Sequence, residues 1–263
     1  MQTLLLDPDA VERAAEMESV VAAVEDAFAA DARGDTQMPA KSYIDLPQYN
    51  GDFRSMPVYL DAGDWEAAAV KWVNVHPDNP EDHDLPTVMG TVVYSDPETA
   101  FPLALLDGTT ITHKRTGAAA AVATDYLAAE DARTMGIVGA GVQSYTQLKA
   151  VAAVRPVEEV VVADRDEDAV AEFVDAFSDR FDVRGGSIDE AAQCDVRVVA
   201  DAADDRLLDR CHRREHVTLG GLVDRPAANV KPVGERVDEL GDGVLVAVGD
   251  DDLLDRADRR DGF

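Results

Sequence analysis

Ten residues, Met135-Gly-Ile-Val-Gly-Ala-Gly-Val-Gln-Ser144, limit what this chain can fold into more than any other stretch. They read as a short apolar strand breaking into a glycine loop. Gly139 permits a tight turn, Gly141 lets a ligand approach the backbone with no Cβ in the way, and Ser144 takes the small third position where helix meets strand. Val142 to Val154 has a helical pattern, so unpaired N–H groups and the positive end of a helix dipole face the loop. The next apolar run, Val160-Val-Val-Ala163, ends on Asp164, 25 residues after Gly139. At that spacing a carboxylate accepts hydrogen bonds from the hydroxyls of an adenosine ribose. Strand, loop, helix, strand and acid together predict a Rossmann-type dinucleotide-binding domain, with Gly139, Ala140, Gly141, Val142 and Gln143 around a pyrophosphate. Asp164 repels a 2′-phosphate and favours NAD over NADP, a preference that the neighbouring Arg165 would invert if Asp164 turned away.

The 263 residues leave room for a second domain, and 46% hydrophobic residues suffice for two cores. No apolar run reaches the roughly 18 residues of a membrane span, and Met1-Gln-Thr-Leu-Leu-Leu6 lacks the basic start of a signal peptide. The expectation is a cytoplasmic protein with no membrane partner. A net charge of −29, dispersed along the chain, argues against nucleic acid. With 19 arginines but 5 lysines it reads as a halophilic surface, since a Debye length of about 3 Å in molar salt removes self-repulsion. In so lysine-poor a chain Lys41, Lys71 and Lys114 each fall inside a motif, as though these positions could not be given up. Cys194 and Cys211 lack disulfide or ligand spacing, and the five histidines form none either, so no metal is expected.

The chain divides near residue 130. Residues 1–130 read as a mixed α+β domain: a strand at Leu4–Leu6, one helical pattern from Asp9 to Asp35, then strands at Ser42–Leu46, Phe53–Leu60, Ala68–Val75, Thr87–Tyr94 and Leu103–Leu106. An alanine-rich helix, Thr112 to Leu127, leads into residues 131–263. There strand and helix alternate over Gly136–Val138, Val142–Val154, Val160–Ala163, Glu167–Phe181 and Val196–Ala200. The fold class is therefore α/β, a Rossmann-type domain preceded by a mixed α+β domain.

Five segments stand in order ahead of the glycine loop: Phe53-Arg-Ser-Met-Pro57, Val70-Lys-Trp-Val-Asn-Val-His-Pro77, Leu85-Pro-Thr-Val-Met-Gly90, Leu106-Asp-Gly-Thr109 and Arg115-Thr-Gly-Ala118. With the loop they closely resemble the ornithine cyclodeaminase/mu-crystallin family, which includes archaeal alanine dehydrogenases, over about residues 1–200. The resemblance implies an NAD-dependent enzyme acting on an amino acid or its imine. It also implies a homodimer whose N-terminal domains pair, making the first domain one of substrate binding and dimerisation.

The residues can be read against that chemistry. Oxidative deamination needs cations for a carboxylate, a group that takes a proton, and a dry wall. Arg54 and Arg115 offer guanidinium forks for the carboxylate; Arg115, with Thr116 beside it, stands at a helix start and also reaches towards cofactor phosphate. Lys71 interrupts an apolar strand, where burial lowers an ammonium's pKa and makes a general base or a carboxylate ligand. The resemblance makes the matching lysine a substrate-site residue. Lys41 is a second candidate of the same kind. His76, ending the Lys71 strand, reads with Asn74 as shaping a loop rather than as acid or base; Trp72 and Met89 read as core. Thr112 and Asp107 are candidates for bonding cofactor or substrate, with a helix cap the alternative for Thr112. These readings favour an oxidoreductase that deaminates a small L-amino acid such as alanine. The alternatives are an ornithine cyclodeaminase, which returns its hydride and releases ammonia, and a ketimine reductase or cofactor-binding protein with weak catalysis.

From about residue 197 the resemblance fades. The chain becomes dense in arginine and aspartate, and Asp224, behind Gly220-Gly221, is the candidate for a catalytic acid. The expectation is a second domain altered or truncated after 197, with an incomplete nicotinamide half and weak turnover.

Overall fold

The computed structural model describes residues 2–200 and the backbone of a strand at Val244–Ala247. The chain divides into two units, Met1–Arg115 and Thr116–Phe263.

The first unit is a seven-stranded mixed sheet with helices. Strand β1 (Leu4–Leu6) precedes helices α1 (Pro8–Ala14) and α2 (Met17–Arg33). Asp7 caps α1 by accepting from Ala10 N at 2.8 Å, and Gly34, at φ 82°, ends α2 in the left-handed region that favours glycine. One helix was expected over Asp9–Asp35, but the chain breaks at Ala15 and Glu16. The cause is a distant side chain. Lys114 Nζ donates to the carbonyls of Ala15 (2.7 Å) and Glu12 (3.4 Å) and pairs with the Glu12 carboxylate at 3.0 Å, so a buried ammonium closes the end of α1. The retention of Lys114 is thus accounted for structurally.

Strands β2 (Thr36–Gln37), β3 (Ser42–Leu46), β4 (Gly51–Asp61), β5 (Glu66–Val75), β6 (Val88–Ser95) and β7 (Pro102–Asp107) follow, with a short helix α3 (Asn79–His83) where only a turn was expected. The order is β1-β7-β6-β5-β4-β2, with β3 also on β4; β1 and β7 are parallel and the other pairs antiparallel. Alternation along each strand sorts side chains by face. Arg54, Val73 and Ala104, all buried, share one face with Lys71. On the other face Leu5 (82% exposed), Ile44, Trp72 (42%) and Leu105 are open. Trp72, expected in the core, therefore stacks on Phe53 on the open face, ring centroids 5.2 Å apart.

Helix α4 runs from Gly108 to Leu127 and carries the division between the units. Its cap is Asp107, whose Oδ2 accepts from Thr110 N at 2.6 Å. The expected start at Thr112 is corrected by a full turn: Thr112 is interior and cannot cap, and Arg115 lies well inside the helix, away from any free N–H groups.

In the second unit, β8 (Thr134–Val138), α5 (Val142–Val154), β9 (Glu159–Ala163), α6 (Glu167–Phe177), β10 (Asp182–Gly185), α7 (Ile188–Ala191), β11 (Val196–Val199) and β12 (Val244–Ala247) build a wholly parallel sheet. Its order is β10-β9-β8-β11-β12, the Rossmann arrangement in which strand order reverses between β8 and β11. Met135, Ile137, Val160, Val162, Val196 and Val198 form its core with Leu148, Val151 and Phe173. Small residues in the middle of α4 let α5 lie close: a Cβ on Gly117 would stand 2.6 Å from the Thr146 carbonyl oxygen. Gly136 leaves still less room, since its Cβ would run into the Ala191 carbonyl. Strand β12 continues the sheet beyond the point near 197 where the sequence pattern fades. Among the described residues no helix is long and apolar enough to cross a membrane.

Candidate active site

The candidate dinucleotide site, in the second unit, is built on backbone. Gly139 follows β8 at φ 98° and donates its N–H to the Ala163 carbonyl at 2.9 Å, which ties the loop to the end of β9. Gly141 is the N-cap residue of α5, and a Cβ there would meet nothing within 4 Å. The space beside Gly141 is open, so a ligand can approach its backbone. Ser144 is buried and folds its N–H (3.0 Å) and its hydroxyl (2.6 Å) back onto the Gly141 carbonyl. By helix geometry the N–H groups of Val142 and Gln143 at the first turn then face the loop.

Asp164 is engaged by the backbone. Its Oδ2 accepts from Ala140 N at 2.7 Å and its Oδ1 from Asp166 N at 3.0 Å. Burial acts to raise its pKa, but the backbone N–H groups of Asp166, Ala140 and Arg165, with the Arg165 charge, outweigh it and hold the carboxyl below its ordinary value. The Ala140 N–H is therefore committed to the acid, a role that spacing does not reveal. Asp164, Arg165, Asp166, Glu167 and Asp168 line one shallow depression, four carboxylates to one guanidinium. Coulombic repulsion there acts against an added 2′-phosphate.

The candidate substrate cations lie in the first unit. Register places Arg54 opposite Val73 and Lys71 opposite Met56, so the two cations are diagonal neighbours on the buried face of β4 and β5. Lys71 Nζ donates to Thr112 Oγ1 of α4 at 3.2 Å. Arg54 is 6% exposed and its fork is engaged internally: Nε and Nη2 donate to Asp52 at 3.1 and 2.8 Å, and the guanidinium lies over Tyr43, 5.5 Å from the ring centroid. Asp52 is a partner that sequence reasoning missed; its i, i+2 spacing from Arg54 on one strand face was the available signal. Arg115 differs. It is half-buried, and among the described residues it has no hydrogen-bond or ion-pair partner. Thr116 beside it is buried, and Lys41 is half-buried between β2 and β3. His76 bonds Asn74 through Nδ1 at 3.2 Å and sets its ring edge-on to Phe53, on the open face of the sheet and not on the face of Lys71. Asp224 lies outside the described residues. Among the described residues no three metal-ligating side chains converge.

A parallel sheet of Rossmann order carrying a glycine loop, in a chain that also holds a mixed α+β unit, defines an α/β fold of the dinucleotide-binding class. The model of the ornithine cyclodeaminase/mu-crystallin family matches residues 1–235, and the chain belongs to that family. The match extends well past 197 and includes Asp224. An alanine dehydrogenase of Archaeoglobus fulgidus is 42% identical over 199 residues, 75% of this chain and 60% of that protein. An L-lysine cyclodeaminase of Streptomyces rapamycinicus is 34% identical over 170 residues, 62% of this chain and 46% of its own length. The chain thus spans about half to three fifths of these curated relatives. Among solved structures, an archaeal alanine dehydrogenase dimer with bound NAD superposes with a TM-score of 0.76 at 30% identity, over 94% of this chain and 90% of that one. The Δ1-pyrroline-2-carboxylate reductase of Thermococcus litoralis, in complex with NADH and L-proline, gives 0.76 at 28% identity, over 94% and 92%.

Proposed function

We propose that this chain is an NAD-dependent oxidoreductase of amino-acid metabolism that oxidatively deaminates a small L-amino acid such as alanine. The observation that carries the reading is Lys71: an amine on the covered face of an apolar strand, diagonal to Arg54 and held by a helix hydroxyl. Arg115 takes the substrate carboxylate, Arg54, ion-paired with Asp52, braces the face beside it, and Lys71 holds the substrate or takes a proton from its ammonium. Lys41 is the further candidate for carboxylate contact, and Asp224 for the acid. The Gly139–Gln143 loop holds the pyrophosphate, Arg115 and Thr116 flank the cofactor, and Asp164 accepts from the adenosine ribose, with Arg165 beside it. NAD, when bound, supplies the two-electron acceptor. Every other step falls to side chains that bind, orient and move protons.

The likeness to a dimeric alanine dehydrogenase supports a homodimer, and the open face of the first sheet, with Leu5, Ile44, Trp72 and Leu105, is the surface we assign to it. A cytoplasmic, halophilic setting is the reading of the acidic composition, so assays belong in molar salt.

Adding NAD and L-alanine should produce a growing NADH absorbance band; none with any small amino acid would end the dehydrogenase reading. The relative that binds NADH and L-proline favours a second reading as an imine reductase. NADH consumption on a cyclic imino acid, without oxidation of alanine, would establish it, and ammonia released from ornithine with no net NADH would mark a cyclodeaminase. Fluorescence titration should give tighter binding of NADH than of NADPH. Turnover well below about 1 per second is expected from the divergent chain after 197; faster turnover would mean that this segment completes the site.

A further inference from the structure

We infer that Thr112 is a positioning residue for Lys71, fixing the direction of the amine; the inference rests on the role proposed for Lys71 above. Lys71 Nζ lies 3.2 Å from Thr112 Oγ1, and the same hydroxyl donates its single proton to the Gly108 carbonyl at 2.6 Å. With that proton committed, Thr112 acts towards Lys71 as an acceptor alone. One Nζ proton is thereby aimed at α4, and the remaining protons, or the lone pair of the neutral amine, point elsewhere.

The acceptor is itself anchored. A Cβ on Gly108 would stand 2.8 Å from the backbone carbon of Gly90, and Thr109 Oγ1 accepts from Gly90 N at 3.2 Å, so the start of α4 rests on β6. Gly90 is paired with Val73, two residues from Lys71 on the same face. Lysine, strand pair, helix start and hydroxyl therefore form a closed ring of contacts. Thr112 is buried, so water does not readily replace the acceptor once it is removed.

Threonine hydroxyls inside helices commonly bond the carbonyl four residues back. Thr124 of the same helix does so to Ala120 at 2.8 Å, and among the described residues no lysine bonds its hydroxyl. It is the internal control. In the full chain, Thr112→Val should lower kcat on the amino or imino acid about tenfold while leaving NADH affinity unchanged. Thr112→Ser should restore turnover to near the parent value, and Thr124→Val should leave it unaltered.

A second readout does not need activity. Labelling by acetic anhydride, followed for the Lys71 peptide by mass spectrometry across pH, gives the titration of that amine. Loss of an acceptor disfavours the ammonium, so the Lys71 midpoint should fall by about one pH unit in Thr112→Val, return in Thr112→Ser and stay put in Thr124→Val. An unchanged Lys71 curve in Thr112→Val overturns the inference. If the parent chain turns over no amino or imino acid, the functional reading fails and the labelling alone decides. Should Thr112→Val not fold, Thr112→Ala carries the same measurement with the same two outcomes.

Discussion

The two units handle polarity in opposite ways. In the second, a parallel sheet is buried on both faces, and the candidate ligand contacts at the glycine loop are main-chain groups held by Gly139, Gly141 and Asp164. In the first, a largely antiparallel sheet leaves one face open and hides charged side chains, Arg54 and Lys71, on the other. The difference predicts what each unit tolerates: the second should suffer when atoms are added next to its backbone, the first when charged side chains are taken away.

The largest effect is expected at Gly136. Gly136→Ala pushes a Cβ into the Ala191 carbonyl, and overpacking against backbone should cost about 3 kcal/mol or more. Both tryptophans, Trp65 and Trp72, lie in the first unit. Urea unfolding followed by circular dichroism should therefore weaken while the tryptophan fluorescence midpoint stays near the parent value. A variant as stable as the parent would break the comparison. Gly141→Val comes next. Its Cβ has open space, so the fold should hold while NADH binding, read by fluorescence titration, is lost.

In the first unit, Lys71→Ala and Arg115→Ala should each lower turnover by about 100-fold, with the unfolding midpoint and NADH affinity unchanged. Near-parent activity in Lys71→Ala would remove the central residue among the candidate substrate cations.

The smallest effect is a pH response. In the second unit Asp164, Glu190 and Asp195 all have lowered pKa values, with Glu190, bonded by Ser187 and Arg184, at about 2; in the first unit Asp96 alone among the described residues is lowered, by bonds from Thr99. A depressed folded value contributes stability above the unfolded pKa, and that contribution disappears as pH falls through the folded one. Acidification from about pH 4.5 should thus loosen the second unit first, and circular dichroism should change before tryptophan fluorescence. Simultaneous loss would blur the distinction.

Much of this was legible because it is local. The glycine loop and α5 follow from the backbone demands of a few residues, and period-two patterns mark β3 to β7. What escaped reading depends on partners distant in sequence. The break between α1 and α2 carries no Gly or Pro and is set by Lys114. The first turn of α4, Gly108-Thr-Thr, has weak helix formers, so its start was displaced, although Asp107 as a cap was the available clue. Strand β10, four residues with Asp, Arg and Gly, looks like loop, and helix α7 was missed as well, although the Ser187 and Glu190 capping box was the available signal. At the site, residue types pointed to Lys71, Arg54 and Asp164. Their partners Thr112, Asp52 and Ala140 followed only once strand register and loop geometry were known.

The pairing of β1 with β7 has a consequence for biogenesis. Leu4, Leu5 and Leu6 find their partners at Ala104, Leu105 and Leu106, and Lys114 reaches back 99 and 102 positions to Ala15 and Glu12. A ribosome adding about 5–20 residues per second takes roughly 5–20 s to deliver those partners after the leucines have been made. For that interval the nascent chain carries an apolar segment with nowhere to pair, and loop closure over so long a span is slow. The last strand of the first unit, rather than its first, thus decides when its sheet can be completed.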